Sequence, residues 1–212
     1  MDDFGAKARS WDLDPSKAER ARRVADLIAA RVPMLAGARV LEVGAGTGLL
    51  GLALRDRVKH VTLADGSAEM LAVAGEKVAA IGPCNVDLLP IDLERDRPRG
   101  RYELVCALLV LHHVEDVDAL LDKLHDALEP GGYLCISDLE AEDGGFHGPG
   151  FTGHHGFDRG ALRASLERAG FSEIEFQHAF EIEKPVKGVT RSFPAFLAFA
   201  RRPATSPAGS SP

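Results

Sequence analysis

The chain has little cysteine, little aromatic character and no excess of positive charge. Three cysteines stand among 212 residues, at 84, 106 and 135, with no C-x-x-C pair among them. That excludes a zinc site built from paired thiolates and a disulfide framework. Cys106 and Cys135 lie inside apolar runs and read as reduced core residues. Lysine and arginine number 25 against 32 acids, a net charge of −7. No global attraction to a phosphate backbone or an anionic membrane follows from that balance. No apolar run reaches the ~18 residues of a membrane span. The start, MDDFG, lacks the basic and apolar segments of a secretory signal, so a cytoplasmic location is expected. Internal repeats are absent. At 45% hydrophobic and 27% charged residues, the composition suits one soluble domain with a sizeable core.

The stretch that organises the chain is residues 40–50, VLEVGAGTGLL. An apolar run carries the acid Glu42, then glycines follow at 44, 46 and 48. This reads as a buried strand, a glycine turn and a helix whose first turn faces a ligand. A dinucleotide site wants G-x-G-x-x-G. Here the position for that third glycine holds Leu49, and the spacing is G-x-G-x-G. Glu42 would also repel a pyrophosphate, whereas it suits a cationic ligand without phosphates.

Strands and helices alternate along the chain. Asp14 and Pro15 open a first helix that runs to about Arg31. Its arginines at 20, 22 and 23 read as a solvated face. Strands are expected at 39–43, 60–64, 86–89, 102–111 and 133–137, with helices between them and a turn at 130–132. Residues 140–157 have no period and read as a loop. A helix follows over 158–169, closed by Gly170. Strands at 171–180 and 193–200 flank a turn-like segment at 184–190. The expected organisation is an N-terminal lid and helix over 1–34, a main domain over 35–202, and a disordered low-complexity tail over 203–212. Alternation of this kind predicts an α/β fold, a Rossmann-like doubly wound sheet with helices on both faces.

In such a sheet, ligands bind at the carboxyl ends of the strands. Asp65 ends the second strand and can accept from both hydroxyls of a ribose; Gly66 follows it. Asp92 and Leu93 follow the third strand, where one can read an adenine amino group and the other pack on its ring. Leu108 stands near the end of the fourth.

These residues together resemble the class I S-adenosylmethionine-dependent methyltransferases, specifically the small bacterial type related to ubiquinone and menaquinone biosynthesis. The matching stretches are LEVGAGTG at 41–48, VTLAD at 61–65, IDL at 91–93, YELV at 102–105, LHHV at 111–114 and LEPGG at 128–132. The resemblance covers about residues 35–140. It implies a mostly parallel seven-stranded sheet with the last strand antiparallel. It implies that Glu42, Gly44, Gly46, Thr47, Gly48, Asp65, Asp92, Leu93 and Leu108 surround S-adenosylmethionine, with S-adenosylhomocysteine as the product. The chain lacks the Asn-Pro-Pro-Tyr type of tetrapeptide that amino-methylating enzymes of DNA bases carry after the fourth strand. A small-molecule methyl acceptor is therefore expected rather than nucleic acid. The acceptor atom (O, N, S or activated C) and the oligomeric state are left open.

Five of the eight histidines lie at 112, 113, 147, 154 and 155. His147, His154 and His155 belong to the loop expected to roof the acceptor pocket, and they are the candidates for a base or hydrogen-bond partner. The plainer reading has them holding the loop to itself. His112 and His113 read as the start of a helix. The loop histidines with Asp138, Glu140 or Asp143 are metal-ligand types, but their spacing matches no short metal motif and no metal is expected. Trp11 and Phe4 are candidates for a lid. The function expected is a small-molecule methyltransferase. A S-adenosylmethionine sensor or scaffold without transfer activity is the alternative from another class; a dinucleotide oxidoreductase is disfavoured by Leu49 and Glu42.

Overall fold

The structure, a computed structural model, describes residues 4–33 and 35–204. The low-complexity tail expected at 203–212 falls almost wholly outside the described residues, and so does the side chain of Phe4. Two short helical pieces, α1 (Phe4–Lys7) and a 3-10 segment (Ala8–Leu13), precede α2 (Pro15–Arg31). The polar composition of this opening segment gave no sign of them. Its helical turns are held from outside, by ion pairs to the helix over Ala68–Ile81 described below. Asp14 caps α2 by accepting from the Ser16 amide at 3.0 Å, with Pro15 in the first turn, as the sequence predicts.

The sheet contains β1 (Arg39–Val43), β2 (His60–Asp65), β3 (Val86–Pro90), β4 (Tyr102–Leu108), β5 (Leu128–Leu139), β6 (Ser172–Val186) and β7 (Val189–Arg201). Their order is β3-β2-β1-β4-β5-β7-β6. Every pairing is parallel except those of β7, which runs antiparallel to both β5 and β6. The strand order reverses between β1 and β4, which opens a crevice at their carboxyl ends. The glycine turn leaves β1 at that point.

Helices α2, α3 (Leu49–Leu54) and α4 (Ala68–Ile81) cover one face, where Val24, Ile28, Leu50 and Ala74 pack against Val40, Val61 and Leu104. Helices α5 (Val117–Ala127) and α6 (Arg159–Arg168) cover the other. There Leu120, Leu121, Leu124, Leu162 and Leu166 meet Leu41, Val105, Leu134 and Phe196. Burying each such leucine contributes roughly 1.5–3 kcal/mol. Alternate residues of β1 enter opposite clusters, as a strand buried on both faces requires.

Three boundaries differ from the sequence expectation. First, β4 stops at Leu108, because Leu109 adopts a left-handed backbone (φ 56°) that turns the chain out of the sheet. Second, the Pro130–Gly132 turn is a bulge inside β5. Tyr102 pairs with Leu128 and Leu104 with Tyr133, so residues 129–132 arch out of the ladder. Third, β6 and β7 extend through the segment read as turn-like. The turn itself is only Lys187 and Gly188, both at positive φ (50° and 81°), with Val186 paired to Val189. Those dihedral signs are those of a type I′ hairpin, whose twist matches the strands it joins.

Candidate active site

The glycine turn is shaped by contacts from both sides. Gly44 has φ 60°, and a Cβ there would sit 2.6 Å from Cγ2 of Val110. Only glycine fits that backbone and that approach. Gly48, at φ 77°, is the N-cap of α3 and offers no side chain to bond the helix's exposed amides. Glu42 supplies the missing acceptor, since its Oε2 takes the Gly51 amide at 2.8 Å. The acid is therefore turned towards the start of α3, against the helix's positive end. It is 3% exposed, and burial pushes its pKa up to about 8, opposed in part by the Gly51 amide.

Asp65 braces the same turn. Its Oδ2 accepts from the Gly46 amide at 2.7 Å and its Oδ1 from the Ser67 amide at 2.8 Å. Each carboxylate oxygen keeps a second lone pair. Gly66 brings its backbone close to Ile91 and Asp92. Asp92 accepts from the Glu94 amide at 3.1 Å and pairs with Arg95. Leu93 is buried, and Leu108 packs half-buried on the core. The structure thus brings Glu42, Gly44, Gly46, Thr47, Gly48, Asp65, Gly66, Asp92, Leu93 and Leu108 to the carboxyl ends of β1 to β4.

A residue that the sequence did not single out closes this side. Asp12 accepts from Thr47 Oγ1 at 2.7 Å and from Lys77 Nζ at 2.7 Å. Arg9 pairs with Glu76 on α4 at 2.9 Å. The opening segment is thereby pinned over the glycine turn. Trp11, in the same segment, has the Lys17 ammonium 3.5 Å from its ring centre.

On the far side of the crevice, β4 and β5 deliver a second set of groups. After the turn at Leu109, a 3-10 segment (Leu111–His113) brings His112 against the end of β5. There His112 Nδ1 and Asp138 Oδ1 are 2.6 Å apart, with both side chains almost fully buried. Asp138 also accepts from the His112 and Leu139 amides. Nδ1 is thus held by the carboxylate, which leaves Nε2 turned away from it. His113 and His147 come to the same place. Ring centres of His112 lie 4.0 Å from His113 and 5.0 Å from His147, and those of His113 and His147 are 5.3 Å apart. Phe151 stacks on His147 at 3.8 Å and 13°.

The three loop histidines picked out from sequence take different places. His147 joins His112 and His113. His154 holds the loop down, its amide donating to the His112 carbonyl at 2.8 Å and its Nε2 bonded to the Val114 carbonyl at 3.0 Å. His155 pairs with Glu142 at 3.3 Å on the loop's outer side, half in solvent. Glu140 pairs with Arg159 at 2.5 Å and Asp143 with Arg191 at 3.0 Å, so both bind cations of neighbouring elements. His112 and His113 do not start α5, which begins at Val117 behind the cap Asp116. A signal for the His112–Asp138 pair was present in the sequence. An acid inside the apolar run CISDL needs a buried partner. A groove of about 770 Å³ lies elsewhere, between α5 and α6 along Glu115, Asp118, Lys123 and Ser165.

The sheet order and the glycine turn at its reversal point define the class: a Rossmann-like methyltransferase fold of the S-adenosylmethionine-dependent class I type. A family described as "Methyltransferase domain" matches residues 16–179, and the chain belongs to that family. A ubiquinone biosynthesis O-methyltransferase of Xylella fastidiosa (strain 9a5c) is 33% identical over 147 residues, 66% of this chain and 58% of that protein. A malonyl-[acyl-carrier protein] O-methyltransferase of Enterobacter lignolyticus (strain SCF1) is 34% identical over 124 residues, 58% of this chain and 48% of that protein. The chain therefore spans about half the length of the curated relatives it matches. Among solved structures, the N-methyltransferase NodS of Bradyrhizobium japonicum WM9 superposes with a TM-score of 0.67 at 19% identity, covering 90% of this chain and 98% of that one. That likeness concerns the fold. Among the described residues no helix is long and apolar enough to cross a membrane.

Proposed function

We propose that this protein transfers the methyl group of S-adenosylmethionine to an oxygen of a small molecule. The cofactor lies along the glycine turn. Gly44, Gly46, Thr47 and Gly48 face it with backbone, Asp65 meets the ribose, and Asp92 and Leu93 meet the adenine. Leu108 flanks it from β4. Glu42 acts at one remove by fixing the start of α3. The acceptor sits under the loop 140–157, and His147 is the loop histidine that reaches it; His154 and His155 keep the loop in place.

The observation that carries the oxygen acceptor is the His112–Asp138 pair at 2.6 Å. Transfer to a hydroxyl breaks the sulfonium C–S bond, forms a C–O bond and releases the hydroxyl proton. An imidazole held by a buried carboxylate, two residues beyond the Val110 that touches Gly44, is a suitable partner for that oxygen. The names of the two curated relatives support the same atom. The electrophile comes with the cofactor, so this chain's task is alignment and exclusion of water.

The test is to supply S-adenosylmethionine with a labelled methyl group to the protein in a cell extract and identify the product by mass spectrometry. A labelled methyl ether or ester on a small molecule is the expected outcome. Label on nitrogen or carbon would overturn the acceptor assignment. Absence of S-adenosylmethionine binding at millimolar concentration, measured by titration calorimetry, would overturn the whole reading. Binding without any labelled product would leave a sensor or scaffold.

A further inference from the structure

We infer that His112, His113 and His147 form a binding site for one divalent transition-metal ion, of the kind that prefers imidazole nitrogen, such as Zn²⁺ or Co²⁺. Their ligand atoms all lie within 4.8 Å of one another. A tetrahedral ion with bonds of about 2.0–2.1 Å asks for nitrogens roughly 3.3 Å apart. Closing that difference falls to His113 and His147, since His112 is held by Asp138 and His147 sits on a loop.

Several features beyond proximity point the same way. His112 has Nδ1 fixed by Asp138 at 2.6 Å, so Nε2 is the nitrogen it presents. A carboxylate bonded to the far side of an imidazole sets its tautomer and strengthens it as a ligand. His112 is buried while His113 and His147 are half-buried, so the ion is screened on one side and reachable from the other. The ligand set is three imidazoles with no directly bound carboxylate. That set suits zinc, cobalt, nickel or copper and is poor for magnesium or calcium. Adjacent histidines seldom share an ion in a strand or an α-helix. Here the 3-10 turn brings the rings of His112 and His113 to 4.0 Å. The third ligand arrives from 34 positions along the chain, and no local spacing announces it. Three protein ligands leave a coordination position open; with the ion bound, His112 Nε2 is a ligand, and the acceptor oxygen meets the ion at that position instead of meeting the imidazole directly. The inference deepens that acceptor assignment and rests on it for the ion's purpose, though not for its binding.

The test uses the full chain without a histidine tag, stripped with a chelator and then titrated with Zn²⁺ by calorimetry and with Co²⁺ by visible absorption. The expected result is one ion per chain with micromolar or tighter affinity, and cobalt absorption bands of a nitrogen-ligated low-coordinate site. His113→Ala and His147→Ala are each expected to weaken binding at least tenfold, and His60→Ala, at the opposite end of the sheet, to leave it within twofold. Circular dichroism of each variant checks the fold. Wild-type binding no tighter than that of the H113A/H147A double variant overturns the site. So does an equal loss in H60A. Methylation of an oxygen at full rate in chelated protein overturns the ion's purpose but leaves the oxygen acceptor standing. One-ion binding together with label on nitrogen overturns the oxygen acceptor and the ion's purpose but leaves the site standing.

Discussion

The two walls of the crevice are built in opposite ways. The wall at the ends of β1 and β2 is local. Gly44, Gly46 and Gly48 lie within five residues, and the carboxylates that brace them, Glu42 and Asp65, end or nearly end the flanking strands. The wall at the ends of β4 and β5 is assembled from distant pieces. His112, Asp138 and His147 come from a 3-10 turn, a strand and an irregular loop. On the first wall the backbone is the functional surface and side chains support it. On the second the side chains are the surface and the backbone supports them. On the function proposed above, the first wall holds the cofactor and the second the acceptor, and only the second depends on where a loop folds back.

The strongest test of this contrast is Gly44→Ala. A Cβ at φ 60° and 2.6 Å from Val110 combines backbone strain with overpacking, a cost of about 3–4 kcal/mol. Denaturant unfolding is expected to show that loss, and calorimetry a fall of at least a hundredfold in affinity for S-adenosylmethionine. Gly150→Ala, in the loop at φ 89° with nothing within 4 Å, bears only the backbone strain of about 1 kcal/mol. It should leave cofactor affinity unchanged. Equal effects of the two on cofactor binding would break the contrast.

Glu42 comes next, through pH. Its folded pKa of about 8 lies above the ordinary 4.5, so the folded state binds the proton more tightly than the unfolded chain. The penalty for charging it is absent below about pH 4.5 and complete above about pH 8, so stability falls as pH rises through that window. Glu42→Gln keeps an oxygen for the Gly51 amide and removes the penalty. At pH 8 the ligand-free variant is expected to be more stable than the parent, by on the order of 3 kcal/mol. At pH 4 the two should converge. Parallel stability curves across the range would show that Glu42 is not charged at a cost.

A smaller effect belongs to Asp138→Asn on the other wall. It leaves a buried imidazole without its carboxylate, at about 2 kcal/mol. Turnover of labelled methyl is expected to drop ten- to a hundredfold while cofactor affinity stays within twofold. Loss of cofactor affinity instead would merge the two walls into one. The smallest effect is expected for Asp12→Ala, about 1 kcal/mol in stability. It releases Thr47 and Lys77, and a several-fold weaker cofactor affinity is the measure of whether the opening segment serves as a lid.

The same contrast explains what was legible in the sequence. The sheet, its helices and the glycine turn announce themselves in short windows. Strand periods, the cap at Asp14 and the G-x-G-x-G spacing each need fewer than ten residues. The antiparallel end of the sheet was implied by family resemblance rather than by periodicity. What Glu42 does was not legible, because its orientation follows from Gly48 lacking a side chain and from the packing of α3. The histidine group was hidden for a different reason. His112 and His113 look like a helix start, and only the left-handed Leu109 shows that the chain turns out of the sheet before them. Asp12 was invisible because the opening segment owes its position to Thr47, Glu76 and Lys77, all far along the chain.

Val110 touches both walls. Its methyl groups occupy the space a Gly44 side chain would need, and the next residue begins the turn that carries His112 and His113. Whatever displaces Gly44 also presses on that turn. Linkage then runs in both directions: a ligand seated at the histidines must change the affinity for the cofactor by the same factor that the cofactor changes theirs. Any coupling carried through this valine is open to measurement by titrating each ligand in the presence of the other.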